Sequence, residues 1–204
     1  MSEIVAMLAR GGPIVGLLLV LSVASLALIV VKLLELRGAL AGAQTREAAL
    51  TDWEAGAREE ALSKAKSGSG PVDTLLAAAM DGALAGRSRD ALETELEWRG
   101  NRTLDQLGRY IRTLELVGMI APLLGLLGTV LGMIEAFQQL ALAEGAANAS
   151  ILAGGIWQAL LTTAVGLVVA IPAAVAANLL GTRLDRVGVA MEVAIGRLLS
   201  LEAR

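Results

Sequence analysis

Thr129, Glu135, Gln158, Thr162 and Thr163 stand in or at the edge of two long uncharged stretches. Each type has a limited chemistry there. A threonine hydroxyl donates one hydrogen bond and accepts two, so it can hold a water or solvate a charged group. A carboxylate at membrane depth is costly and is a functional candidate by default. Glutamine hydrogen-bonds but does not titrate. The chain has no histidine and no cysteine. That removes the commonest metal ligand, the commonest general base and all thiolate chemistry. Little is left for nucleophilic or metal catalysis, so neither an enzyme nor a metal site is expected.

These residues need elements to position them. Of the 204 residues, 55% are hydrophobic and only 2% aromatic. No charge occurs from Gly11 to Val31, from Leu116 to Ile134, or from Gly145 to Thr182. A bilayer core takes about 20 apolar residues of helix. Backbone groups in hydrocarbon must bond within their own segment. The expectation is an all-α integral membrane protein with transmembrane helices at 13–34, 113–140 and 151–181. An external segment, 1–12, precedes them. A helical cytoplasmic domain, 35–112, a short periplasmic loop, 141–150, and a cytoplasmic helical tail, 182–204, complete the chain. The first apolar run is read as a span and not as a cleaved signal. Glu3 offsets Arg10, the run is long, and Lys32, Glu35 and Arg37 follow it directly.

Orientation follows from lysine and arginine. Twelve lie from Lys32 to Arg112, none between Gln138 and Ser150, and Arg183, Arg186, Arg197 and Arg204 follow the third span. The positive-inside rule places the long loop and the tail in the cytoplasm and the N-terminus outside. Most of these charges are read as topology signals and solvated faces. Lys32 to Glu115 also holds fourteen acidic residues, so no basic patch suggests nucleic acid.

Apolar residues at helical spacing run through the cytoplasmic part, with breakers at Ser67–Pro71 and Ala85–Asp90 and Ser88 offered as an N-cap. One helix is expected from about Arg89 to Leu140 and another from Ile151 to Leu201. Each would span on the order of 75 Å at 1.5 Å per residue.

Span one is rich in leucine and valine and could face lipid all round. Spans two and three differ. Gly118, Pro122, Gly125, Thr129, Gly132 and Ala136 share one face of span two. Ala159, Thr163, Gly166, Ala170, Ala174 and Ala177 share one face of span three. Small faces allow close helix packing, within one chain or against another. Counting from the span centres puts Thr129 and Thr163 at one level and Glu135 and Gln158 at a second, about 8 Å further out. Two readings stay open for Glu135: a working carboxylate, or a residue that reaches the headgroups. Thr162 and Thr163 have a plain alternative in bonding back to their own helix. A helix pair encloses no lumen, but several copies in a ring would. The small faces would then line a space for another protein's helix.

Ala121–Phe137, "APLLGLLGTVLGMIEAF", and Gly154–Leu180, "GGIWQALLTTAVGLVVAIPAAVAANLL", resemble the two signature spans of the MotA/TolQ/ExbB proton-channel family. The order of elements resembles it too, with three spans as in the ExbB and TolQ types. The resemblance implies a ring-forming homo-oligomer, a pentamer, in the bacterial inner membrane. It implies an ExbD/TolR-like partner whose single span carries an aspartate, and a TonB/TolA-like protein beyond it. Protons would be the coupling ion, and no cofactor is implied. By resemblance Thr129 and Thr163 are pore-facing threonines, and Pro122 and Pro172 are signature prolines that kink the helices. One departure stands out. Many members carry glutamate at the position of Gln158, and here the carboxylate is Glu135 on the neighbouring helix. The rival classes are a passive pore, a transporter and a structural scaffold. A transporter would show repeats, more spans and a midplane site, and three spans with no internal repeat argue against one.

Overall fold

The computed structural model describes residues 2–142 and 149–202. Its helices are α1 (Ser2–Arg37), α2 (Ala43–Glu54), α3 (Arg58–Ser67), α4 (Pro71–Leu84), α5 (Arg89–Gly108), α6 (Ile111–Leu142) and α7 (Ala149–Glu202). No strand occurs among the described residues. Helical stretches at Gly12–Arg37, Arg89–Leu142 and Leu152–Glu202 are long and apolar enough to cross a membrane. The chain is thus an all-α, three-span membrane protein with a helical extension. The loop expected at 141–150 falls mainly on 143–148, outside the described residues.

The breaks follow local chemistry. Gly12 has φ 66°, a left-handed conformation that glycine adopts freely, and Pro13 restarts the helix behind it. Between α3 and α4, the Gly70 N–H donates to Asp73 Oδ2 at 3.1 Å. A Cβ on Gly68 would come within 2.4 Å of the Asp73 carboxyl carbon, so only glycine fits there. Ser88 occupies the N-cap position of α5, but its side chain makes no capping hydrogen bond.

The residues divide into two compact units: Met1–Val30 with Ile111–Asn178, and Val31–Tyr110 with Leu179–Arg204. In the first, Leu18 of α1 is fully buried among Val117, Ala121, Val169, Ala170 and Ala173. Span one therefore does not face lipid all round. The alanines leave a shallow surface on α6 and α7, and a large leucine fills it. Ser25 is buried as well, its hydroxyl bonded to the Ser22 carbonyl at 2.9 Å.

In the second unit, Leu50, Trp53, Leu76, Met80, Leu96 and Leu198 join α2, α4, α5 and α7 in one core. The Trp53 ring N–H donates to Glu202 Oε1 at 3.0 Å. Arg46 and Asp73 form a buried ion pair at 2.8 Å, and Arg46 also donates to the Leu40 carbonyl at 3.3 Å. The helix expected as continuous from Arg89 is interrupted at Arg109–Tyr110. Beside this break stands Lys32, which is only 1% exposed. Its ammonium donates to the Leu107 carbonyl at 2.9 Å, taking an acceptor near the end of α5. It also pairs with Glu35 at 2.6 Å and lies 5.4 Å from the Tyr110 ring centre. Lys32 thus does more than signal topology.

Candidate functional site: the α6–α7 helix pair

α6 and α7 run antiparallel and nearly touch at their backbones. The contacts step in opposite directions along the two helices. A Cβ built on Gly118 would meet Ala174 Cβ at 2.9 Å. One on Gly125 would meet the Thr162 carbonyl oxygen at 2.9 Å and Gly166 Cα at 3.4 Å. One on Gly166 would meet the Ala121 carbonyl oxygen at 2.7 Å. Gly132 faces Ala159 Cβ at 3.5 Å, and Gly155 would meet Ala136 Cβ at 2.3 Å. Gly118, Gly125 and Gly166 thus permit an approach that larger residues would block. Ala159 and Ala170 are buried, the latter in the cluster around Leu18.

The three threonines gather at this seam within about one helical turn. Thr162 is buried, and its hydroxyl shares its proton between the Ala159 carbonyl at 2.7 Å and the Gly125 carbonyl at 3.3 Å. Thr163 is half-buried and donates across to the same Gly125 carbonyl at 3.3 Å. Thr129 is half-buried and bonds back to the Leu126 carbonyl at 2.6 Å. It follows Gly128, which packs directly on Thr162. Thr129 also borders an apolar surface groove on α6 with Val130, Met133 and Phe137.

Glu135 is exposed and Gln158 half-buried. Glu135 precedes Ala136, which packs on Gly155, whereas Gln158 precedes Ala159, which packs beside Gly132. The register therefore staggers the two by roughly two residues, about 3 Å at 1.5 Å per residue. Pro122 is half-buried and Pro172 exposed, and α6 and α7 continue through both. Each proline lacks the N–H that would bond Gly118 or Val168.

Sequence reasoning missed Gly128 and Gly155. Gly128 lies three residues beyond Gly125 and four before Gly132, so it belonged to the same face. Among the described residues, no group of acidic side chains is arranged to hold a metal ion.

The fold and the seam define a class: a multi-span membrane protein built on two close-packed, small-faced helices with hydroxyls at their contact. Residues 67–193 match the MotA/TolQ/ExbB proton channel family, and the chain belongs to that family. It is 48% identical over 81 residues to biopolymer transport protein exbB1 of Vibrio cholerae, covering 40% of this chain and 36% of that one. It is 32% identical over 119 residues to biopolymer transport protein ExbB of Salmonella typhimurium, covering 56% and 48%. It is 39% identical over 87 residues to Tol-Pal system protein TolQ of Haemophilus influenzae, covering 43% and 38%. The chain thus spans less than half the length of each of these three relatives.

Proposed function

We propose that this protein is the multi-span subunit of a proton-driven motor in the bacterial inner membrane. Copies form a ring, a pentamer by family likeness, around the span of an ExbD/TolR-like partner. Protons crossing through the partner's membrane aspartate move one component against the other. A TonB/TolA-like protein delivers that work to the outer membrane. The N-terminus lies in the periplasm, and the helical extension and C-terminus in the cytoplasm. The observation that carries this reading is the level of hydroxyls at the α6–α7 seam, on a chain of this family. Thr162 holds the seam together. Thr129 and Thr163, half-buried beside it, are placed to solvate a titrating group brought by the partner. Glu135 supplies the carboxylate that many relatives carry at the position of Gln158.

A second reading, support of outer-membrane integrity and division in the manner of TolQ, is favoured by the likeness to a Tol-Pal protein. The experiment is complementation with the ExbD-like or the TolR-like partner, read as energised uptake or as detergent resistance. Rescue of uptake supports the first reading and rescue of resistance the second. Proton flux through liposomes holding this protein alone would instead support a passive pore.

A further inference from the structure

α5 ends at Gly108 and α6 begins at Ile111, yet the local sequence does not demand a break. No proline lies between Arg89 and Ala121. Arg109 has φ −51° and ψ −42°, the values of an α-helix. Gly108 weakens the helix, but glycine alone does not end one here, since Gly118, Gly125, Gly128 and Gly132 all lie inside α6. No π turn occurs from 89 to 142. Long helices are interrupted by proline, by glycine–serine pairs, by π-bulges, or by a side chain that enters the i→i+4 ladder. Of these, only the last is present at this break.

Lys32 is that side chain. It is 1% exposed and reaches Leu107 from α1, 75 positions earlier in the chain. In an unbroken helix the Leu107 carbonyl is the acceptor for the Ile111 N–H. Here that carbonyl takes the Lys32 ammonium at 2.9 Å. One turn on, the Arg109 N–H bonds to the Gln106 carbonyl at 3.4 Å, the tighter i→i+3 spacing of a helix end. A buried ammonium is costly without acceptors, and the last carbonyls of a helix attract a cation. Glu35 at 2.6 Å supplies a second acceptor. The Tyr110 ring centre lies 5.4 Å from the ammonium and 5.6 Å from the Arg109 guanidinium. The buried charge and the end of α5 therefore satisfy each other.

We propose that Lys32 is the pin of a joint. Its ammonium holds α5 ended at Gly108, and without it α5 and α6 close into one helix over Arg89–Leu142. The joint opens α6, the helix that carries Thr129 and Glu135, so its state is passed to them along one element.

Hydrogen exchange of the full chain in detergent, read by mass spectrometry over residues 105–113, tests the joint. Lys32→Met keeps the length of the side chain and removes its charge. It is expected to slow exchange at Arg109, Tyr110 and Ile111 about tenfold, because a closed helix adds backbone bonds there. Lys32→Arg keeps a cation and is expected to exchange as the unmodified chain does. Gly108→Ala leaves Lys32 in place, and its added Cβ meets only the tip of Leu184, at 3.0 Å, which can turn aside. Exchange at the joint is expected to stay unchanged in this variant, which tests the pin even where Lys32→Met does not fold. Slowing in Gly108→Ala would give the break to the glycine and overturn the proposal. Unchanged exchange in Lys32→Met overturns it too. Faster exchange along α5 in Lys32→Met would make Lys32 a simple staple and likewise overturn it.

Discussion

The Thr162 hydroxyl of α7 lies 3.3 Å from the Gly125 carbonyl oxygen of α6. That contact fixes the register of the helix pair, because only glycines at 125 and 128 let Thr162 come so near. A Cβ on Gly128 would stand 2.7 Å from the Thr162 hydroxyl and 2.8 Å from its Cβ.

Gly125→Val is therefore expected to destabilise the membrane unit, by about 1–3 kcal/mol as overpacking commonly does. Thermal unfolding in detergent measures it. Gly181→Ala is the control. Its Cβ meets nothing within 4 Å, and alanine favours helix, so it is expected to be neutral or mildly stabilising. Equal melting of all three proteins would remove the packing role of the seam.

The threonines separate structure from function. Thr162→Val removes a buried cross-helix bond and is expected to cost on the order of 0.6–1.7 kcal/mol of stability. Thr129→Val and Thr163→Val act at half-buried positions. Both are expected to keep the oligomer and to lower partner-dependent transport. Normal transport with valine at 163 would dissociate that hydroxyl from proton handling, and a collapsed oligomer would make it a packing residue.

Much of the fold was legible because hydrophobic runs report membrane spans directly. The loop glycines Gly68 and Gly86 and the N-cap position of Ser88 were equally readable. What sequence could not show was which partner each small residue meets. Gly128 carries no signal beyond spacing, and its role is clear only with Thr162 beside it. Lys32 was hidden for another reason. A lysine at a membrane end reads as a topology signal, and its contact with the Leu107 carbonyl spans a separation that no local pattern encodes. Counting from span centres brought the threonines together but missed the stagger of Glu135 and Gln158, since span centres are known only to a few residues.

Asp73 tests the helical extension. Its carboxylate accepts from Arg46 at 2.8 Å and from the Gly70 N–H at 3.1 Å, both in buried surroundings. Asp73→Ala leaves the Arg46 charge buried without its partner. Losses of this kind run to about 3–5 kcal/mol. Hydrogen exchange should show faster amides in α2, α3 and α4, with little change at Thr162 and its neighbours. Unchanged exchange in those three helices would show that Arg46 finds another acceptor, such as the Leu40 carbonyl it already touches.

Glu135 and Gln158 give the sharpest test of the proton route. The stagger of about 3 Å is shorter than a glutamate side chain's reach from its backbone, so a carboxylate at either position can serve one region of the seam. Glu135→Gln is expected to abolish partner-dependent energised transport while the oligomer still assembles. Gln158→Glu alone should leave transport in place. Joining the two moves the carboxylate from α6 to α7, to the position many relatives use, and should restore a large part of the activity. Loss without rescue would tie the function to the α6 position. Full activity in Glu135→Gln would assign Glu135, which is exposed, to the membrane surface.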